Sequence, residues 1–275
     1  MNTRTFICLA ALFFPGLSFA EAVPGTNNNN LKPFTNVRVS MQRMLRSVEG
    51  RYFLDLYAGI WNPHGTLYDL VDQKAIAFKG LQKGDQIDLK SVSINGDEKS
   101  SEQYQLNGQL NANSGELVSA FRSVNYPVNF PIQFEPAFKA KEKPLFVFNF
   151  YGLEGNQQPY GKAIKKVDVL NKTNNQVVQS LTGFTAYPKS IGYMDINFDG
   201  YYDVVLSDTS NDRKVEDKRF IYWMYNPKTN QFQRSPQLEN IVGFPAIHGE
   251  KQQIDFGNGN VYQVENGLLN QVINN

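Results

Sequence analysis

From Gly50 onward apolar and polar residues alternate in short runs, and turn-forming residues separate the runs. Arg51–Gly59, Gly65–Leu70, Ala75–Phe78, Gln86–Ile94 and Gln103–Leu110 are stretches of β type. Between them stand Asn62-Pro63-His64-Gly65, Asp72-Gln73-Lys74, Lys83-Gly84-Asp85 and Asn95-Gly96-Asp97. A period of two gives a strand one face for a core and one for water. Asn95-Gly96 is a hairpin signal, because both residues tolerate positive φ. Gly108 and 111–115 continue the pattern, and turn signals every ~8–12 residues predict a sandwich or a barrel. Only 39–49 (VSMQRMLRSVE) reads as a short helix, on weak periodicity.

The second half opens with the dense apolar run Leu145–Tyr151. Two hairpins follow, Val167–Leu170 with Gln176–Leu181 and Ile221–Tyr225 with Gln231–Gln233. Their turns, Asn-Lys-Thr-Asn-Asn at 171–175 and Asn-Pro-Lys-Thr-Asn at 226–230, are alike, which suggests a repeated hairpin of the kind that builds propeller blades. The expected fold is all-β. A sandwich- or barrel-like unit spans 37–143, and a β-propeller-like, blade-type antiparallel sheet unit with a strand-flanked calcium loop spans 144–275. The boundary is placed in the Pro- and Lys-rich stretch 135–144 (EPAFKAKEKP).

The N-terminus changes the picture of compartment. Arg4 precedes an apolar stretch from Phe6 to Phe14, Pro15 and Gly16 break it, and Ser18-Phe19-Ala20 supplies small residues at the −3 and −1 positions. This predicts a signal peptide over 1–20, cleaved after Ala20, and a periplasmic protein. The apolar run is about half of the ~20 residues that a membrane span needs. Residues 21–36, with four consecutive Asn, read as a tether. Cleavage removes Cys8, the one cysteine, so neither a disulfide nor thiol chemistry is expected. The chain carries 27 basic and 26 acidic residues, a net +1. That balance argues against nucleic acid as a partner and, with no later span, against membrane insertion. The 20 Phe and 14 Tyr favour strands.

One segment carries chemistry. Asp195-Ile196-Asn197-Phe198-Asp199-Gly200-Tyr201-Tyr202-Asp203 places oxygen-bearing side chains at loop positions 1, 3, 5 and 9, with Gly at position 6. A hard divalent cation takes six to eight oxygens, and alternate residues of a curled loop point inward. Asp195, Asn197, Asp199 and Asp203 are the candidate side-chain ligands, and Tyr201 would offer its carbonyl. Three carboxylates suit Ca²⁺ better than Mg²⁺, which keeps more of its waters. Leu206 occupies position 12, where an EF-hand has its bidentate Glu, and the flanks Ile191–Met194 and Val204–Leu206 are strand-like. A structural role is expected, since neither an open coordination position nor a nearby base is evident.

Tyr193–Leu206 (YMDINFDGYYDVVL), Tyr222–Phe232 (YWMYNPKTNQF) and Leu238-Glu239-Asn240-Ile241 together resemble exported bacterial proteins related to FG-GAP repeats. The resemblance covers roughly 145–275. It implies a blade-like sheet assembly with Ca²⁺ bound by Asp195, Asn197, Asp199, Tyr201 and Asp203. Trp223, Tyr225 and Phe232 fall at structural positions. It also implies a periplasmic inhibitor of a lysozyme-like peptidoglycan hydrolase, or an immunity protein against hydrolase effectors delivered by type IV secretion. Residues 37–143 have no counterpart in it.

A hydrolase cleft holds catalytic carboxylates, and an exposed cationic loop on a rigid sheet would fill it. Ser207–Arg219 (SDTSNDRKVEDKR) fits in position, and offers Arg213, Lys214, Lys218 and Arg219. The alternative is a glycan- or protein-binding module on a calcium-stabilised scaffold, with Trp61, Tyr57, Tyr126, Tyr160 or Tyr187 as a stacking platform. An enzyme is not expected: His64 and His248 sit in turn-like contexts, and no Gly-x-Ser-x-Gly, His-Glu-x-x-His or phosphate loop occurs. A monomer or weak oligomer is expected.

Overall fold

The computed structural model describes residues 30–59, 61–93, 103–265 and 267–272. The expected signal peptide, most of the expected tether and the Asn95-Gly96 turn lie outside them. The protein is all-β, with 56% strand and 5% helix. Lys32–Phe34, inside the stretch read as a tether, instead form β1 on the edge of a sheet, where Phe34 packs against a core.

Eight strands close into an antiparallel barrel. They are β2 (Arg38–Ser47), β3 (Tyr52–Ala58), β4 (His64–Asp69), β5 (Lys74–Lys83), β6 (Gln86–Val92), β7 (Tyr104–Leu110), β8 (Leu117–Ser123) and β9 (Tyr126–Pro136). Each pairs with the next, and β9 returns to β2 through Leu45↔Pro136, Arg46↔Glu135 and Ser47↔Phe134. Closure removes the free edges that would invite association. Alternate residues fill the lumen: Leu54 and Leu56, Ile87 and Leu89, and Ile132 and Phe134 are all 2% exposed or less. Eight strands leave an interior that side chains of this size can fill. Of the two architectures left open for this half, the barrel is the one formed.

After the barrel come β10 (Phe146–Glu154), β11 (Lys162–Asn171), β12 (Val177–Leu181), β13 (Ser190–Met194), β14 (Asp203–Ser207), β15 (Phe220–Asn226) and β16 (Gln231–Arg234). A one-turn helix, α1 (Pro236–Glu239), precedes β17 (Ala246–His248), β18 (Gln253–Asp255), β19 (Val261–Glu265) and β20 (Leu268–Gln271). The first half of β2 runs on past the barrel and pairs in parallel with β13, Arg38–Met41 against Ser190–Tyr193. Strands β13 to β16 therefore extend the barrel's own sheet, across the boundary expected near 143/144, and residues Leu31–Asn275 group into one compact unit.

This extension is the middle of three layers. The sheet β1-β10-β11-β12 covers one face and β17-β18-β19-β20 the other. Alternation divides the middle strands between the two cores: Tyr193, Val204, Leu206 and Ile221 enter one, and Met194, Val205 and Tyr222 the other. A strand covered on both faces reads as a continuous apolar run, which is why Val204–Leu206 shows no polar break.

The same double coverage explains the segment read as a helix at 39–49. It is β2, with Gln42, Arg43, Met44 and Leu45 all buried, so the period-two contrast is erased. The two Asn-rich turns do close hairpins, each with its first Asn carboxamide accepting a backbone N–H two residues on, at 2.8 Å from Thr173 and 2.9 Å from Lys228. They lie in different sheets, however. The repeat is one of turn chemistry, and propeller-like blades are not formed by the described residues.

Candidate metal centre

The acidic bend joins β13 to β14 at one end of the middle layer. Asp195 follows the last residue of β13, and Asp203, opposite Met194, is the first of β14. The polypeptide wraps around these two carboxylates. Asp195 accepts hydrogen bonds from the backbone N–H of Asp199 at 3.1 Å and of Gly200 at 2.8 Å. Asp203 accepts from Ile196 N–H at 2.9 Å and from Tyr225 N–H, on β15, at 2.8 Å. Asp199 accepts from Tyr201 N–H at 2.9 Å and from the Asn197 carboxamide at 2.9 Å.

Two residues turn the chain left-handed, Phe198 at φ 58° and Gly200 at φ 87°. Phe198 meets the strain with a core contact, its ring 5.1 Å from that of Phe138. Gly200 also lies under the crossing segment 138–140, where an added Cβ would stand 2.6 Å from the Ala140 nitrogen. The glycine is therefore needed for conformation and for room.

The bend is electrostatically loaded. Burial pushes the Asp195 carboxyl up to about 7, and the neighbouring Asp199 carboxylate adds to the effect. Asp203 is fully buried and is raised well above the ordinary range by that burial and by Asp195. A cation faces the cluster. The Lys143 ammonium lies 3.4 Å from the ring centre of Tyr202; burial pulls it down to about 8, while Asp195 partly holds it up.

Asp195, Asn197 and Asp199 are thus brought together, and Asp203 serves as a staple between the bend and β15. Tyr201 is half-buried with its ring 5.4 Å from that of Tyr225. Among the described residues no three Asp, Glu, His or Cys side chains converge as a cage on their own. The donor chemistry nevertheless fits a hard cation. The Asn197 Oδ1 atom is buried without any hydrogen-bond partner, a costly state for a carbonyl-type oxygen. It belongs to the residue at loop position 3, whose Nδ2 is the atom that faces Asp199. Carboxylates that already accept one N–H per oxygen keep further lone pairs for a cation.

The predicted partner-binding residues lie on the β14–β15 connection. Arg213 is committed to an ion pair with Asp208. Lys214 and Lys218 are exposed, and Arg219 reaches the Asn240 carbonyl at 3.4 Å. The loop has shape: two single-turn 3-10 segments, Ser210–Asp212 and Val215–Asp217, are pinned where Val215 N–H donates to the Tyr160 hydroxyl at 2.8 Å. The aromatic candidates are scattered. Tyr160 and Tyr187 meet edge to face at 4.9 Å beside that loop, Tyr57 stacks on His64 at 4.7 Å, and Trp61 is 61% exposed nearby.

Two polar clusters gave no signal as motifs. Buried Gln42 donates to Asp55 at 2.7 Å, close to His248 and Glu250. Arg43, in the segment read as a helix, is buried at the barrel mouth. Both become legible once 39–49 is taken as a strand, which sends its odd and even residues to opposite faces. No protein-family model, curated protein or solved structure matches the chain.

Proposed function

We propose that this chain is a non-catalytic recognition protein of the bacterial envelope. A Ca²⁺-completed acidic bend would brace one end of the β14–β15 hairpin, and the Ser207–Arg219 loop at its other end would occupy the cleft of a lysozyme-like peptidoglycan hydrolase. One observation carries the reading. Asp203 begins the strand that leads into the loop, and it also holds the N–H of Tyr225 on the strand that leaves it. The bend and the loop thus stand at the two ends of one paired hairpin, tied by the Asp203–Tyr225 bond at one end and by Ser207↔Phe220 at the other. Bound Ca²⁺ would neutralise Asp195 and Asp199 and give Asn197 Oδ1 a partner. The chain's own residues do the rest: Asp208 and Tyr160 hold the loop's shape and leave Lys214 and Lys218 free to meet carboxylates.

Inhibition of a panel of muramidases is the test, comparing the natural chain with Lys214→Ala/Lys218→Ala. Both side chains are exposed, so the fold is left intact. Inhibition that weakens at least tenfold in the double variant supports the reading. An absence of inhibition by the natural chain, or equal inhibition by both, overturns it. Exposed Trp61 beside the Tyr57–His64 stack favours a second reading, a glycan-binding face, which predicts glycan binding that Trp61→Ala abolishes.

A further inference from the structure

A cavity of about 410 Å³ opens where the barrel mouth meets the three-layer body. This lies within the range of small-ligand sites, which favour barrel mouths. Its walls are apolar: Val39 and Met41 from β2, Phe146 and Phe148 from β10, and Leu145 before it. Its charge is one-sided. Arg43, Lys143 and Lys172 line it, and among the described residues no Asp or Glu does.

Arg43 is the telling residue. It is 5% exposed, and its Nε has no hydrogen-bond partner. One Nη donates to the Ala112 carbonyl at 2.9 Å, and the Tyr202 hydroxyl lies against the guanidinium. Both partners are neutral, and among the described residues no carboxylate pairs with Arg43. Lys172 is held at the rim by Asn113 at 2.7 Å, and Lys143 stands over Tyr202. A guanidinium removed from water without a counter-charge is costly, and an anion placed against it would form strong charge-assisted bonds.

We propose that this cavity binds a single-chain amphiphile with a carboxylate head, the head on Arg43 and the alkyl chain along Val39, Met41, Leu145, Phe146 and Phe148. A peptide suits the site less well, since it would bring backbone amides into an apolar channel where each needs a partner. The site is separate from the proposed hydrolase-binding loop, so either proposal stands without the other.

Calorimetric titration of the purified protein with decanoate, decanol and decylammonium, all below their micellar concentrations, tests this. Decanoate should bind at least tenfold more tightly than the other two. This comparison needs no variant. Arg43→Gln, checked by its melting curve, should bring decanoate down to the level of decanol, and Leu145→Trp should weaken both by obstructing the chain's path. No binding of decanoate, or equal affinity for the three ligands, overturns the proposal. So does an unaltered decanoate affinity in folded Arg43→Gln.

Discussion

Asp203 offers the sharpest test of how the body is held together. Its carboxylate is fully buried and accepts the N–H of Ile196 at 2.9 Å and of Tyr225 at 2.8 Å. Asp203→Ala leaves both donors inside the protein without an acceptor. Each stranded donor costs about 1–3 kcal/mol, so the substitution should cost about 2–6 kcal/mol. That is a large share of the ~5–15 kcal/mol by which a domain is stable. Asp203→Asn keeps one acceptor oxygen but turns an NH₂ towards the second amide, so it should cost about 1–3 kcal/mol. The assay is urea unfolding in excess chelator, which removes any metal contribution, with the slopes compared to confirm that the same surface unfolds. An Asp203→Ala protein within about 0.5 kcal/mol of the parent would refute the reasoning. So would an Asn variant less stable than the Ala variant.

Three further outcomes follow from the same physics. Burial raises Asp55 to about 7 despite its Gln42 hydrogen bond, so the folded chain holds that proton more tightly than the unfolded chain does. Its contribution to stability is full below about pH 4 and is lost as pH rises to about 7, by at most about 4 kcal/mol; urea melts at pH 4.5 and 8 should show that slope reduced in Asp55→Asn. Phe134→Ala, in the fully packed lumen, should cost about 3–5 kcal/mol, whereas Val118→Ala, at a position 62% exposed, should stay within about 0.5 kcal/mol in the same melts. Gly200→Ala combines a φ of 87° with a Cβ placed 2.6 Å from the Ala140 nitrogen, and should lower stability by at least about 1–2 kcal/mol in chelator.

Strands with one wet face were legible from the sequence. β6, with a burial pattern that alternates along Gln86–Val92, shows its period of two plainly. β2 was not legible, because two cores and the barrel all claim it, and a strand buried on both faces has no polar stripe to announce it. Barrel closure rests on pairing between Leu45–Ser47 and Phe134–Pro136, some ninety residues apart, and local pattern holds no record of such a contact. The acidic bend was legible as a loop with oxygens in register. Its hidden half, the backbone amides of Ile196 and Tyr225 that claim Asp203, depends on how β14 and β15 pair. Arg43 was invisible for a related reason: its meaning comes from the absence of a counter-charge among the described residues around it, which only the assembled walls reveal.

Calcium binding at the acidic bend is tested most directly by the melting temperature of the purified protein in millimolar Ca²⁺ and then in excess chelator, for the natural chain and for Asp199→Ala. At a hundredfold excess over the dissociation constant, binding to the folded state alone adds about 2.7 kcal/mol. For a chain of this size that corresponds to a rise of roughly 5–10 °C. The natural chain should show such a rise, which chelator reverses and Asp199→Ala abolishes. A melting temperature that stays within about 1 °C between calcium and chelator, or an equal rise in the variant, would contradict it.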